Sequence, residues 1–186
     1  MGLAKDKPDK MNNKIKPYSV LSLDLGTTTG YAIYAPIRGK ITQTGILNNE
    51  AKSTQSTGFK YIKFRGNLQE LSDICAHSGE PIEIVCFEDV ARHTATKAAQ
   101  MYGGFRAIME SFCIDNRIEY GGYGVSEIKK HATGKGNAGK PLMVEMARKK
   151  WHIPAKYPNL HSNQKGFEDV ADALWILDLA RTRLQI

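Results

Sequence analysis

Apolar positions along the chain follow two rhythms. Val20–Leu23, Tyr31–Ala35 and Ile41–Leu47 are short, mostly apolar runs separated by turns that contain Gly, Thr and Pro. Such spacing predicts three successive strands joined by hairpins. Phe59, Ile62, Phe64, Leu68, Leu71, Ile74 and Cys75 then recur mostly at three- and four-residue steps, which predicts an amphipathic helix over about 59–77. Ile82–Phe87 follows Pro81 and is apolar except at Glu83, as a central strand covered on both faces requires. Ala98, Met101, Tyr102, Phe105, Ile108, Met109 and Phe112 share one face of a second helix over 95–113, despite Gly103 and Gly104. Strand-like residues return over 118–125. Short helices are expected near 126–132 and 138–151, and a last one from about Phe167 to Arg183. The order βββαβαβ followed by helices, without an internal repeat, describes an α/β protein with a mixed five-stranded sheet whose first three strands are antiparallel.

Residues 1–17 differ from the rest. Lys5, Lys7, Lys10, Lys14 and Lys16 stand against Asp6 and Asp9, with Pro8 and Pro17 and few apolar side chains, so a disordered basic tail is expected before a single domain over 18–186. The 186 residues, 41% hydrophobic and 24% charged, suit one domain of moderate size and leave little room for two lobes closing over a nucleotide. No run approaches the ~18 apolar residues of a membrane span, and the N-terminus lacks the apolar core of a signal peptide. Cys75, Cys86 and Cys113 are odd in number and set in apolar stretches, which favours neither a disulfide framework nor a zinc site. A reducing compartment, the cytoplasm of a bacterium or phage-infected cell, is the expectation. The net charge of +7 admits a polyanionic partner.

Candidate chemistry sits where apolar elements end in acids. Val20–Leu23 runs directly into Asp24, followed by Leu25-Gly26-Thr27-Thr28-Thr29-Gly30. A carboxylate there can hold a hard cation or face a phosphate, or it can simply mark a solvated turn. The strand before Glu88 and Asp89 ends in the same way, and alternation along a strand forbids both from facing Asp24. In the last helix Glu168, Asp169 and Asp172 interrupt an apolar face. Offsets of three and four let all three project from one side, where a cation would relieve their repulsion; offsetting the helix dipole is the mundane alternative. Between 129 and 165, nine Lys and Arg against Glu145 alone give +8, interleaved with Gly134, Gly136 and Gly139. Glycine lets backbone N–H groups approach phosphates while lysines neutralise them.

Taken together, Asp24, Glu88 and Asp169/Asp172 in this order resemble the RuvC-type Holliday-junction resolvases of the RNase H-like superfamily. The segment Ile128–Lys140, IKKHATGKGNAGK, looks like that family's basic Gly-rich stretch ending in lysine, and Asp169-Val170-Ala171-Asp172-Ala173 is similar to its closing Asp-x-x-Asp-Ala motif. The resemblance implies an RNase H-like sheet flanked by helices. It also implies metal ligands at Asp24, Glu88, Asp169 and Asp172, with Glu168 left open, and an active-site lysine at Lys140. DNA contacts would fall at Lys129, Lys130, Lys135, Lys140 and Arg92. The implied reaction is phosphodiester hydrolysis at four-way DNA junctions with two Mg²⁺ or Mn²⁺ ions, by a homodimer acting in recombination and repair.

Two departures matter. Leu25 stands where the bacterial form usually has Pro, with a shorter run to Gly30, which looks closer to phage or viral branches. No aromatic follows Glu88 closely, where the family often has one that inserts near the junction. Other readings remain open: another RNase H-like nuclease acting on branched DNA or hybrids, a non-catalytic binder of branched DNA, or an ATP-binding actin-like or sugar-kinase-type phosphotransferase, whose first phosphate loop the Asp24–Gly30 stretch also resembles.

Overall fold

The computed structural model describes residues 18–91, 95–152 and 164–186. The expected tail 1–17, Arg92, Lys156 and the side chain of Lys165 lie outside the described residues. The elements are β1 (Val20–Asp24), β2 (Thr28–Ala35), β3 (Lys40–Asn48), α1 (Gly58–His77), β4 (Ile84–Asp89), α2 (Thr96–Asn116), β5 (Glu119–Gly124), α3 (Val125–Thr133), α4 (Lys140–Trp151) and α5 (Gln164–Leu184). They form one five-stranded sheet in the order β3-β2-β1-β4-β5. β1, β2 and β3 pair antiparallel, while β4 runs parallel to β1 and to β5.

Alternation along the strands divides the core in two. Leu21, Leu23, Val85 and Phe87 pack with Phe64 and Leu68 of α1 and with Phe105, Met109 and Phe112 of α2. Val20, Ala32 and Cys86 pack on the opposite face with α3, α4 and α5, where Val170, Leu174 and Leu177 are fully buried. The sheet is therefore covered on both sides, and a side chain's parity along its strand decides which helices it meets. β1–β4 pairing aligns Leu23 with Phe87. The next residue on each strand, Asp24 and Glu88, consequently faces the α5 side, whereas Asp89 turns toward α2.

The expected elements recur with shifted edges. β2 starts at Thr28, before the apolar run, because Gly30 pairs with Asp24 and Thr29 is buried. β4 begins two residues later than the hydrophobicity implies; Glu83 and Ile84 instead donate their N–H groups to the Ser19 carbonyl, which aligns β4 beside β1.

One contact sets the height of α5 above the sheet. A Cβ placed on Gly30 would lie 1.9 Å from the Asp169 carbonyl oxygen, so the helix carrying the acids crosses β2 at a distance that only glycine permits. Ser22, fully buried on β1, donates its hydroxyl to the Ala173 carbonyl at 2.7 Å. Two residues along α5, Trp175 Nε1 donates to the Met143 carbonyl at 3.0 Å and ties α5 to α4. Gly30→Ala is expected to cost about 3 kcal/mol or more in urea denaturation, since backbone rather than a flexible side chain must move. Gly66→Ala on α1, where an added Cβ meets nothing within 4 Å, should instead stabilise by about 0.4–1 kcal/mol in the same measurement.

Candidate active site

Four acids from three elements gather at one end of the sheet. Asp24 closes β1, Glu88 lies one residue before the end of β4, and Asp169 and Asp172 come from the N-terminal part of α5. Asp24 is held as an acid far weaker than usual: burial raises its pKa well above the normal value, and Asp172, Glu88 and Asp169 add to the effect while Lys140 opposes it. Burial and then Asp172 likewise raise Glu88, against Lys129 and Lys140. Asp169 and Asp172 are raised chiefly by burial, with Lys140 pulling the other way. Like charges sharing a poorly solvated site oppose one another's ionisation.

Lys140, the first residue of α4, supplies the nearest positive charge. Its ammonium lies 3.3 Å from Asp172 Oδ2, 3.7 Å from Asp169 Oδ1 and 3.8 Å from Glu168 Oε2. Its own pKa is raised; burial alone would lower it, but Asp172, Asp169 and Asp24 outweigh that. Local chain geometry explains its position. Gly134 caps α3 with φ of 79°, its N–H donating to the Lys130 carbonyl, and this left-handed turn sends the chain back so that α4 starts against α5. Lys129, Lys140, Glu88 and Asp172 line a cavity of about 200 Å³. Lys130 and Lys135 are exposed on the same segment and do not line it.

The donor chemistry fits a hard divalent cation, because every candidate ligand is a carboxylate and one lysine leaves the cluster short of positive charge. Among the described residues, no three acids already stand as a converged ligand set; Lys140 occupies the position of compensating charge among the helical acids instead.

Three supporting features carry no motif and escaped the reading of the sequence. Asn49, fully buried, donates from Nδ2 to the Gly26 carbonyl and to Thr29 Oγ1, both at 3.0 Å, and its N–H donates to the Thr27 carbonyl at 2.8 Å. Asn67 of α1 donates in turn to Asn49 Oδ1. Together they fix the turn that follows Asp24, and Thr29 hydrogen-bonds Gly26 within that turn. At the end of β4, the Tyr102 hydroxyl donates to the Glu88 carbonyl at 2.8 Å and accepts from Val90 N–H at 3.3 Å. Asp89 pairs with Arg106 at 2.8 Å on the α2 side, so only Glu88 of that pair joins the cluster. A run of small polar residues after Asp24 hinted at the braced turn, and strand alternation already separated Asp89 from Glu88.

Asp178 works away from the acid cluster. Its offset from Asp172 puts it on another side of α5, where the sequence gives no reason to expect a role. There it accepts from Lys150 Nζ at 2.6 Å and lies 2.6 Å from His131 Nε2, joining α3 and α4 to α5. It is a structural clamp.

Neither a protein-family profile nor a curated protein sequence matches the chain. Solved structures do. RuvC of T. thermophilus, in complex with a Holliday junction substrate, superposes with a TM-score of 0.66 at 17% identity, over 90% of this chain and 98% of that one. A further Thermus thermophilus RuvC structure gives a TM-score of 0.61 at 15% identity, covering 87% and 96%. Ydc2, the yeast mitochondrial Holliday junction resolvase, gives 0.58 at 14%, covering 93% and 86%. The chain thus shares the fold of these solved RuvC and Ydc2 structures.

Raised carboxyl pKa values carry a sign that stability can test. Between the ordinary pKa of about 4 and the raised folded values, the folded state binds more protons than the unfolded one, so stability falls as pH rises through that window. In EDTA, thermal melts should show this decline. Asp24→Asn should flatten it and raise the melting temperature near neutral pH, by about 2–4 °C for each kcal/mol of repulsion relieved.

Proposed function

We propose that this protein is a metal-dependent endonuclease that resolves four-way DNA junctions by paired phosphodiester hydrolysis. The observation that carries the reading is the mutual electrostatic coupling of Asp24, Glu88, Asp169 and Asp172 beside Lys129 and Lys140. The shared fold with a RuvC bound to a Holliday junction supports it.

Asp24, central to the electrostatics of the cluster, and Glu88, Asp169 and Asp172 would hold two Mg²⁺ or Mn²⁺ ions. When bound, such ions supply activation of water and stabilisation of the leaving 3′ oxygen, leaving a 5′ phosphate. The chain's own contribution is placement and charge. β1 and β4 present two acids in register, and α5 presents the others across them. Lys140, beside Asp169 and Asp172, would offset charge developing on the attacked phosphate. Lys129 faces the same cavity, while Lys130 and Lys135 extend the positive surface along the flanking DNA. A four-way junction has two-fold symmetry, so opposed cuts call for two copies of the chain acting as a homodimer.

A synthetic four-way junction, a duplex, a fork and an RNA–DNA hybrid, each incubated with the protein with and without Mg²⁺, test this reading. Paired nicks in the junction alone, dependent on the ion, are expected; preferential cutting of the hybrid or fork would point to another RNase H-like nuclease. Asp24→Asn, Glu88→Gln and Asp172→Asn should each lower junction cleavage by roughly a thousandfold while binding persists. Asp73→Asn, exposed on α1, should cut at the parent rate.

Junction affinity should also fall with salt at about −0.9 in log K per log salt for each phosphate contacted. Replacing Lys129, Lys130 and Lys135 together by Ala should make that slope shallower by about 1 per lost contact. An unchanged slope would remove the basic segment from the DNA interface.

A further inference from the structure

Asp24 stands where the sheet releases β1. Pairing with β4 stops one residue earlier, at Leu23 and Phe87, and on β2 its partner is Gly30, which has no side chain to pack against it. Residues 25–27, between β1 and β2, belong to no strand. The direction the chain takes beyond Asp24 is therefore set by whatever holds that turn.

Two fully buried polar side chains hold it, Thr29 and Asn49. Thr29 Oγ1 donates to the Gly26 carbonyl at 2.8 Å and accepts from the Gly26 N–H at 3.2 Å, so one hydroxyl closes on both backbone groups of a single residue. Asn49 Nδ2 donates to the same carbonyl and the same hydroxyl. Asn67 Nδ2 donates to Asn49 Oδ1 at 2.9 Å, which settles which way round the Asn49 amide lies. The polar side-chain atoms of Thr29 and Asn49 are thus all partnered, as a rigid buried network requires. Strand pairing and the apolar packing of Leu21, Leu23, Tyr31 and Ile33 already join β1 to β2. What the polar network adds is a fixed path for the turn, at the one place where β1 ends in an acid.

Resting on the nuclease reading above, we propose that Thr29 and Asn49 are positioning residues for the reaction: acting through Gly26, they fix how the Asp24 carboxylate meets the divalent ion. Residues that orient a metal ligand are typically worth about 10–100-fold in metal affinity or activity. Both side chains are neutral, so losing either leaves the charge of the site unchanged, and a weakened metal affinity then reports geometry.

The test compares the full-length parent, Thr29→Val, which removes the hydroxyl at nearly constant shape, and Thr29→Ser, which keeps it. Mn²⁺ binding without DNA is followed by loss of the free-ion EPR signal, and junction cleavage is measured against Mg²⁺ concentration. Thr29→Val should need about tenfold more of either ion for half-effect. Its cutting at saturating Mg²⁺ and its metal-free affinity for junctions should stay near the parent's, and Thr29→Ser should restore both midpoints. A merely structural role would lower the melting temperature and leave the midpoints in place. If Thr29→Val melts below the assay temperature, Asn67→Ala, on a partly exposed position of α1, replaces it and should show the same shift in smaller measure. Parental midpoints in a folded variant, or a Thr29→Ser as weak as Thr29→Val, overturn the positioning role and leave the nuclease reading in place. A parent that binds Mn²⁺ yet cuts no junction overturns the nuclease reading alone, and one that does neither overturns both.

Discussion

The missing side chain at Gly30 is the constraint on which the site's geometry depends. α5 lies so close to β2 that the Asp169 carbonyl occupies the place of a Cβ, and Ser22 fastens the next turn of the helix to β1 through Ala173. With that height fixed, Asp172 comes near enough to Asp24 and Glu88 for each to feel the others' charge. A helix resting on ordinary side chains would stand farther off, and the acids would behave as separate surface groups.

That closeness is unfavourable by itself. Burial and mutual repulsion hold the carboxylates above their usual pKa, and Lys140 relieves only part of it. The energy to hold them together comes from elsewhere: the closed apolar faces of α5, the tie between Trp175 and Met143, and the clamp of Asp178 with His131 and Lys150. The cluster is the kind of local conflict that a well-packed frame tolerates at a functional site.

Much of the frame was legible in the pattern of residues. Strand runs that end abruptly in Asp24 and Glu88 exposed both the elements and the acids, because the burial that makes a strand apolar also makes its terminal carboxylate conspicuous. The i, i+3 spacing of Asp169 and Asp172 served equally well. Less legible was whatever depended on contact between distant segments. Asn49 and Asn67 have no periodic signature and act only because β3 and α1 meet behind the turn at Gly26. Asp178 carries no motif, because its partners sit on α3 and α4, 47 and 28 residues away along the chain. Edges of strands shifted where pairing rather than hydrophobicity chose the boundary, as at Thr28 and Ile84.

The parallel pairing of β1 with β4, and the covering of one sheet face by a C-terminal helix, have a consequence for how the molecule is made. During synthesis the sheet can begin to assemble once β4 and β5 have emerged, with Asp24 and Glu88 already side by side. The other half of the cluster is still in the ribosome, because Asp169 and Asp172 belong to α5, well downstream of β5. A nascent or truncated protein can therefore be substantially folded and still lack the full set of acids. The cluster appears only when α5 docks, so its assembly reports that this face of the sheet has been covered.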